Sequence, residues 1–513
     1  MNDSVNSPPA SILVRNARIL TLDEQDTAWP RADIVIADGT IQALGPDVGV
    51  GRIDADTRVI EGAGLLAMPA LINAHFHSPG NLMKGCLNGL PLELFMLYEV
   101  PPLAQGATKA TVGRLAYVRT LLGALDMLRR GIGTVHDDAY HIPIADPVVV
   151  DAIMQAYADV GIRATVAIDQ PNIVEYNKYP FLKELLPEAE QRLMERAPRQ
   201  SSAELLAVYQ HLLERWHGTA GGRLTAAVSC SAPQRVSVDY FEALAALSRQ
   251  YDLPFNIHIL ETKLQRVLGE EKFGKSLVRY VHDLGLLDEH MMVIHAIWVD
   301  DQDIRLLAEA GCTVAHNPVC NLRLGSGVMP FYALRAAGIP LCLGSDEANT
   351  DDSSNMWFVG KLAALLHTIG NPEYQDWPTA PEILRMLTVG GARALRQHDN
   401  LGRLKPGYAA DITLLDLDTL AFTPLNDLQR QLVFCEDGSS VRYTLVAGHV
   451  VYEQGQVSGV DEAAIRAEAR ELMTEYQMQL GAADSAAERL APYYRAMYLR
   501  AAERDVGFNR WLA

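Results

Sequence analysis

The chain has 513 residues, of which 49% are hydrophobic and 21% charged, with six cysteines and a formal net charge of -19. This is globular composition with length enough for a large core, not that of a disordered chain, and the negative charge opposes binding to nucleic acid phosphates or anionic lipid. The six cysteines form no CxxC pair, and neither a basic-then-apolar leader nor a bilayer-length apolar run occurs, so a cytoplasmic protein with reduced thiols and no membrane partner is expected.

From Ile12 to about Ile60, the stretches SILVRNARILTL, ADIVIADGTIQAL and TRVIEGAGLLAMPAL read as short strands divided by Asp-Gly and Gly-rich turns. The pattern then changes. Eight short apolar runs, ALINAHFH, TVHDD, ATVAID, LTAAVSCS, PFNIHIL, MMVIHAI, CTVAHNP and PLCLGSD, alternate with helical segments such as VGRLAYVRTLLGALDMLRR. Buried parallel strands read as near-continuous apolar runs, so the alternation predicts an α/β fold, a (β/α)8 TIM barrel. Past Arg393, GRLKPGYAADITLLDL and SVRYTLVAGHVVYEQGQV are again strand-like. They are expected to join the N-terminal strands in one small β-sandwich domain. From about Asp461 the spacing predicts amphipathic helices, DEAAIRAEARELMTEYQMQL and then APYYRAMYLRAAERDVGFNRWL, packed on the body or on a partner subunit. The expected divisions are 1–66, 67–392, 393–460 and 461–513.

In such barrels the active site lies at the C-terminal ends of the strands. His75 and His77 end the first run, His258 the fifth, His295 the sixth and Asp346 the eighth. An H-x-H pair on a strand turns both imidazoles to one face, where they can share a cation. The imidazole of His258 and the carboxylate of Asp346 would complete a nitrogen-and-oxygen set with room for water, as a catalytic zinc or ferrous site requires. A lone histidine at a strand end is usually a core or surface residue, and His136, His141 and His316 are read that way. The ordered combination carries the argument.

PALINAHFH, HILE, the run HNPVCNLRLGSGVMP from His316 to Pro330, LGSDEANTDDSSNMW and GRLKPGYAADITLLDL together resemble the amidohydrolase superfamily. The similarity lies with the branch holding cytosine, guanine and S-adenosylhomocysteine deaminases and the s-triazine hydrolases, over nearly the whole chain. It implies one divalent metal per chain, zinc first and ferrous iron second, on His75, His77, His258 and Asp346. It implies catalytic roles for Glu261 as proton shuttle, for Asp346 as proton acceptor while it coordinates, and for His295 as hydrogen-bond partner of the oxygen that becomes tetrahedral. Some members bridge two metals through a lysine at the fourth strand end. LTAAVSCSAPQRVS has no lysine, nor does any position between Lys183 and Lys263, so one metal is expected.

The chain also departs from that pattern. Ser231, Ala232, Pro233 and Gln234 stand where nucleoside-acting deaminases usually carry an H-A-P-Y-like run, which argues against a nucleoside. Phe95, Met96 and Tyr98 stand where related deaminases normally include a tryptophan, as an apolar lid or as core. Glu347, Asn349, Asp351, Asp352 and Asn355 are expected near the site, with Asp352 or Ser353 capping the next helix. Cys320 replaces a common serine as a packing change. Gln234, Phe95, Trp298 and Asn349 are the expected substrate contacts, with Trp357 a further candidate. The expected activity is a metal-dependent hydrolytic deaminase of an aminated N-heterocycle; the alternative is an s-triazine-type hydrolase releasing chloride or alkylamine. A barrel without catalysis is disfavoured by retention of the full set, and a phosphate-binding barrel by the lack of a Gly-rich phosphate loop. A homo-oligomer, dimer or higher, is expected, with a small heterocyclic substrate as the other partner.

Overall fold

A computed structural model describes residues 11–52, 55–100, 109–351 and 353–511. All eight predicted runs form strands: Leu71–His77, Ile132–Tyr140, Arg163–Asp169, Leu224–Ala226 continued by Val228–Ser229, Phe255–Ile259, Met291–His295, Thr313–His316, and Leu341–Leu343 continued by Asp346–Glu347. Each pairs in parallel with the next. The last pairs with the first, Asp346 beside Phe76 and Glu347 beside His77, and this closes the ring. The fifth and sixth strands are buried at every residue, which is why they read as unbroken apolar runs.

Helices flank the strands, several with capping side chains. Asp300 forms a capping box with Asp303 ahead of Asp301–Glu309. The helix Met356–Leu366 is capped by Asn355, whose side chain accepts from the backbone N–H of Trp357 and Phe358. The expected cap, Ser353, instead accepts from the N–H of Asn355, because the cap must be the extended residue directly before the first turn. Asp352, the other expected cap, and the N-terminal MNDSVNSPPA lie outside the described residues.

The two ends of the chain meet in one nine-stranded sheet. Ile412–Asp416 runs antiparallel to Leu65–Pro69, the strand that leads into the barrel, over a core that includes Ile12, Ile34, Ile36, Ile412 and Leu445. Asp411, just before that strand, accepts from Arg163 of the third barrel strand through both oxygens, at 2.8 and 3.0 Å. It also accepts from the backbone N–H of Ala447 at 2.7 Å. Both side chains of the ion pair are buried.

The C-terminal segment is one helix, Glu462–Ala502, that runs through Pro492, where two segments were expected. Proline removes one helical hydrogen bond. Burial of Leu490, Tyr494, Met497 and Ala501 against Leu97, Tyr179, Leu182 and Leu264 offsets that loss. Beyond the helix, Arg510 donates to the carbonyl of Val299 at 2.8 Å and Trp511 to that of Gly325 at 3.0 Å. Among the described residues no helix is long and apolar enough to cross a membrane, and Cys230, Cys312, Cys320, Cys342 and Cys435 are free thiols.

Two stability predictions follow from this packing. Removing one partner of a buried ion pair costs about 3–5 kcal/mol, whereas apolar replacement of both is often neutral. Asp411→Ala is therefore expected to lower the unfolding free energy by about that amount in urea titrations, and Arg163→Met with Asp411→Leu to recover most of it. His316 and His367 face each other through Nε2 atoms 3.0 Å apart; burial pushes His367 down to about 4 and His316 well below the usual imidazole range. The unfolded chain binds protons on both near pH 6.5 while the folded chain does not, so this stability is present above about pH 6.5 and lost as pH falls towards 4. A denaturation midpoint that drops across that window, less steeply in His367→Gln, is the expected result.

Candidate metal centre and active-site cavity

Four barrel strands end in backbone turns that redirect side chains towards the axis. Ser231, Leu260, His295 with Ala296, and Asp346 all have positive φ, between 47° and 70°, a conformation that non-glycine residues adopt at a cost of about 1–3 kcal/mol and that clusters at functional sites. Gly344, in the break of the eighth strand, permits a close approach. A Cβ there would lie 2.7 Å from the Cβ of His75 and 2.5 Å from Oδ1 of Asn317, so only glycine lets this strand lie against the first.

The result is a convergent donor set. His258 Nε2 lies 3.2 Å from His75 Nε2, and Asp346 Oδ1 lies 3.7 Å from His75 Nε2 and 3.6 Å from His77 Nε2. Tetrahedral bonds of about 2.0–2.1 Å to zinc separate ligand atoms by about 3.3–3.4 Å, so the spacing fits one cation among the four side chains. The tautomers fit too. Nδ1–H of His77 donates to the carbonyl of Asp138 at 2.5 Å and that of His258 to the carbonyl of Ser231 at 2.7 Å, which leaves each Nε2 lone pair free for a metal. Burial, reinforced by the neighbouring imidazoles, holds His75 and His258 far below the usual histidine range. Both imidazoles are neutral at pH 7, as metal ligation would require. Asp138 also lies within ligand spacing of the three imidazoles, but its Oδ2 sits 3.9 Å from His258 Nδ1, on the ring edge already bonded to Ser231, and accepts from Asn256. Asp346 is the carboxylate on the Nε2 side.

Glu261 and His295 border the same space. His295 Nε2 is 3.6 Å from Glu261 Oε2 and 3.5 Å from Asp346 Oδ2, and its Nδ1 meets Asn321 Oδ1 at 2.8 Å. Burial pushes the Glu261 carboxyl well above the ordinary range, helped by Asp346 and Glu93 and opposed by Arg235. A carboxyl raised in this way holds its proton to higher pH than a free one, which suits it to proton donation.

These groups lie in a cavity of about 760 Å³, its open mouth included, with Phe95 and Met96 of helix Leu92–Glu99 along one wall. The other expected contacts are distributed differently. Glu347 and Cys320 line the cavity, and burial raises the Cys320 thiol well above its normal range. Asn349 donates to Glu99 behind the lining. Gln234 is buried but does not line the cavity. The Trp298 indole donates to the Ser326 carbonyl and packs on Phe508 and Trp511, and that of Trp357 donates to the Arg130 carbonyl; both belong to the packing around the barrel. Asn355 is engaged as a helix cap. Neither His136, His141 nor His316 lines the cavity; burial lowers His136 and His141 to about 3. Sequence reasoning passed over Asp138, Asp169, Glu93, Glu99 and Arg235. For two of these a signal existed, since VHDD puts Asp138 two residues before the end of the second strand and VAID ends the third in Asp169.

Comparison with known proteins agrees with this geometry. The amidohydrolase family model matches residues 66–451. A 5-methylthioadenosine/S-adenosylhomocysteine deaminase of Nitratidesulfovibrio vulgaris is 32% identical over 464 residues, 90% of this chain and 97% of the relative. A 5'-deoxyadenosine deaminase of Methanosarcina mazei is 28% identical over 91% of this chain and 98% of its own. Among solved structures, a zinc-bound adenosine deaminase from Xanthomonas campestris superposes with a TM-score of 0.78 at 25% identity, covering 92% of this chain and 99% of its own. The zinc complex of atrazine chlorohydrolase TrzN from Arthrobacter aurescens gives 0.76 at 25% identity, covering 90% and 99%. The chain belongs to the amidohydrolase family, as a hydrolase of C–N bonds other than peptide bonds.

Proposed function

We propose that this protein is a zinc-dependent aminohydrolase that releases ammonia from an aminated N-heterocycle, with an adenosine derivative the first substrate to test. The reading rests on one observation: His295 and a buried Glu261, its carboxyl raised well above the ordinary range, border the space between His75, His77, His258 and Asp346. The names of the relatives support deamination over chloride release, and they outweigh the departure at Ser231 to Gln234 that argued against a nucleoside.

The four side chains would hold the metal, which when bound makes water nucleophilic at neutral pH. Asp346 Oδ2, 3.5 Å from His295 Nε2, takes up a proton from the attacking water. Glu261 delivers its proton to the ring nitrogen beside the attacked carbon; the departing amine receives the proton that Asp346 took from the water, and Glu261 regains one from the attached hydroxyl as the carbonyl forms. His295 hydrogen-bonds the oxygen as the carbon turns tetrahedral. Phe95 and Met96 cover the flat ring and exclude bulk water.

We further infer a cytoplasmic setting, supported by the free thiols of Cys230, Cys312, Cys320, Cys342 and Cys435, and a division of the chain at about 66, 392 and 460, with the terminal strands as a sandwich unit. We infer a homo-oligomer of at least two chains, and sedimentation showing only monomer rejects this.

Glu261→Gln is expected to lower ammonia release by about 100- to 10,000-fold while one zinc per chain remains by elemental analysis. Stripping the metal with a chelator should abolish release, and zinc should restore it. An unimpaired Glu261→Gln enzyme would remove the proposed proton shuttle.

A further inference from the structure

Arg235 closes a short turn, Pro233–Arg235, just beyond the fourth strand. It is 7% exposed and lines the active-site cavity. Its Nη1 donates to Ser231 Oγ at 3.1 Å and its Nη2 to the thioether of Met96 at 3.0 Å. Among the described residues no carboxylate comes within 4.0 Å of the guanidinium. Two other buried arginines do have close carboxylates: Arg163 is held by Asp411, and Arg266 by Asp300 and Asp303. A guanidinium has five N–H donors, and a thioether is a weak acceptor. Burying such a group without a close counter-charge is costly unless another acceptor completes it.

The charge is felt at the reacting centre. Arg235 opposes the upward shift of Glu261, and it acts likewise on Glu93 and Asp169. Its hydrogen-bond partner Ser231 offers the carbonyl that holds His258 Nδ1. Arg235 lines the same cavity as Glu261, His295 and Asp346. The planar fork of N–H groups suits an in-plane lone pair on a flat ligand.

We propose that Arg235 is the specificity-determining residue of the cavity, donating its unengaged N–H groups to an in-plane acceptor of the heterocycle away from the reacting amino group. This rests on the aminohydrolase reading above. The acceptor is a ring nitrogen or a ring oxo oxygen, and both present the same lone-pair chemistry. Met96 then serves as the apolar backing that keeps the fork in the ring plane, and Ser231 fixes its orientation.

The test uses the zinc enzyme, its Arg235→Lys and Arg235→Met variants, and matched ligands that differ in one acceptor. Adenosine against 3-deazaadenosine and 7-deazaadenosine removes a ring nitrogen; cytosine against 4-aminopyrimidine removes the oxo group. Ammonia release gives kcat/KM and calorimetry gives Kd. The wild type should favour the acceptor-bearing member of one set by roughly 10- to 100-fold. Arg235→Met should erase that preference, leaving the acceptor-free member within about threefold, and Arg235→Lys should restore part of it. The set that responds identifies the acceptor as nitrogen or oxo oxygen. Equal losses on both members of every set, or a wild type indifferent to the acceptor, overturn the proposal, and the wild-type comparison stands even if a variant fails to fold. Binding that depends on Arg235 without any ammonia release would keep this inference and reject the aminohydrolase reading. Ammonia release with no dependence on Arg235 would do the reverse.

Discussion

Closure of the strand ring is the constraint on which the site depends. Asp346 and Glu347 pair with Phe76 and His77, and this contact alone brings a carboxylate from the last strand to within 3.7 Å of both imidazoles of the first. Gly344 makes the approach sterically allowed. The nine-stranded sheet supports the same closure from outside, because the strand Leu65–Pro69 that feeds the barrel is held by Ile412–Asp416 from the far end of the chain. The Arg163–Asp411 pair locks that sheet to the third barrel strand.

Once closed, the ring sets the electrostatics. Burial removes water from the histidines and carboxyls together, and it acts in opposite directions on the two types. It lowers His75 and His258 well below the usual imidazole range, as metal ligation would require, and it raises Glu261 well above the usual carboxyl range, as proton donation would require. One physical cause thus prepares both halves of the chemistry. Carbonyl oxygens of Asp138 and Ser231 add direction by accepting from the outer nitrogens of His77 and His258.

The cavity walls come from elements outside the ring. Helix Leu92–Glu99 provides Phe95 and Met96, and the C-terminal helix buries Leu490, Tyr494 and Met497 against Leu97 and Tyr179. The long terminal helix therefore backs the wall that faces the substrate. The acidic surroundings of the pocket, with Asp169, Glu99 and Glu347 among its lining, leave Arg235 as a cation placed close to the reacting groups.

Much of this was legible in the amino-acid order. The eight strands, the pairing of the terminal segments into one sheet and the positions of His75, His77, His258, His295 and Asp346 at strand ends follow from periodicity, because burial on both faces and on one face leave different repeats. Asn355 in place of Ser353 as a cap, one terminal helix in place of two, and Trp298 and Trp357 packed away from the cavity did not follow. Nor did Arg235, whose arginine in SAPQRVS carries no local signal. Periodicity reports whether a side chain is buried, a property of its own strand or helix. Which buried side chains share a cavity, and which polar group there lacks a close counter-charge, depends on distances between strands far apart in sequence, and only the tertiary structure decides those.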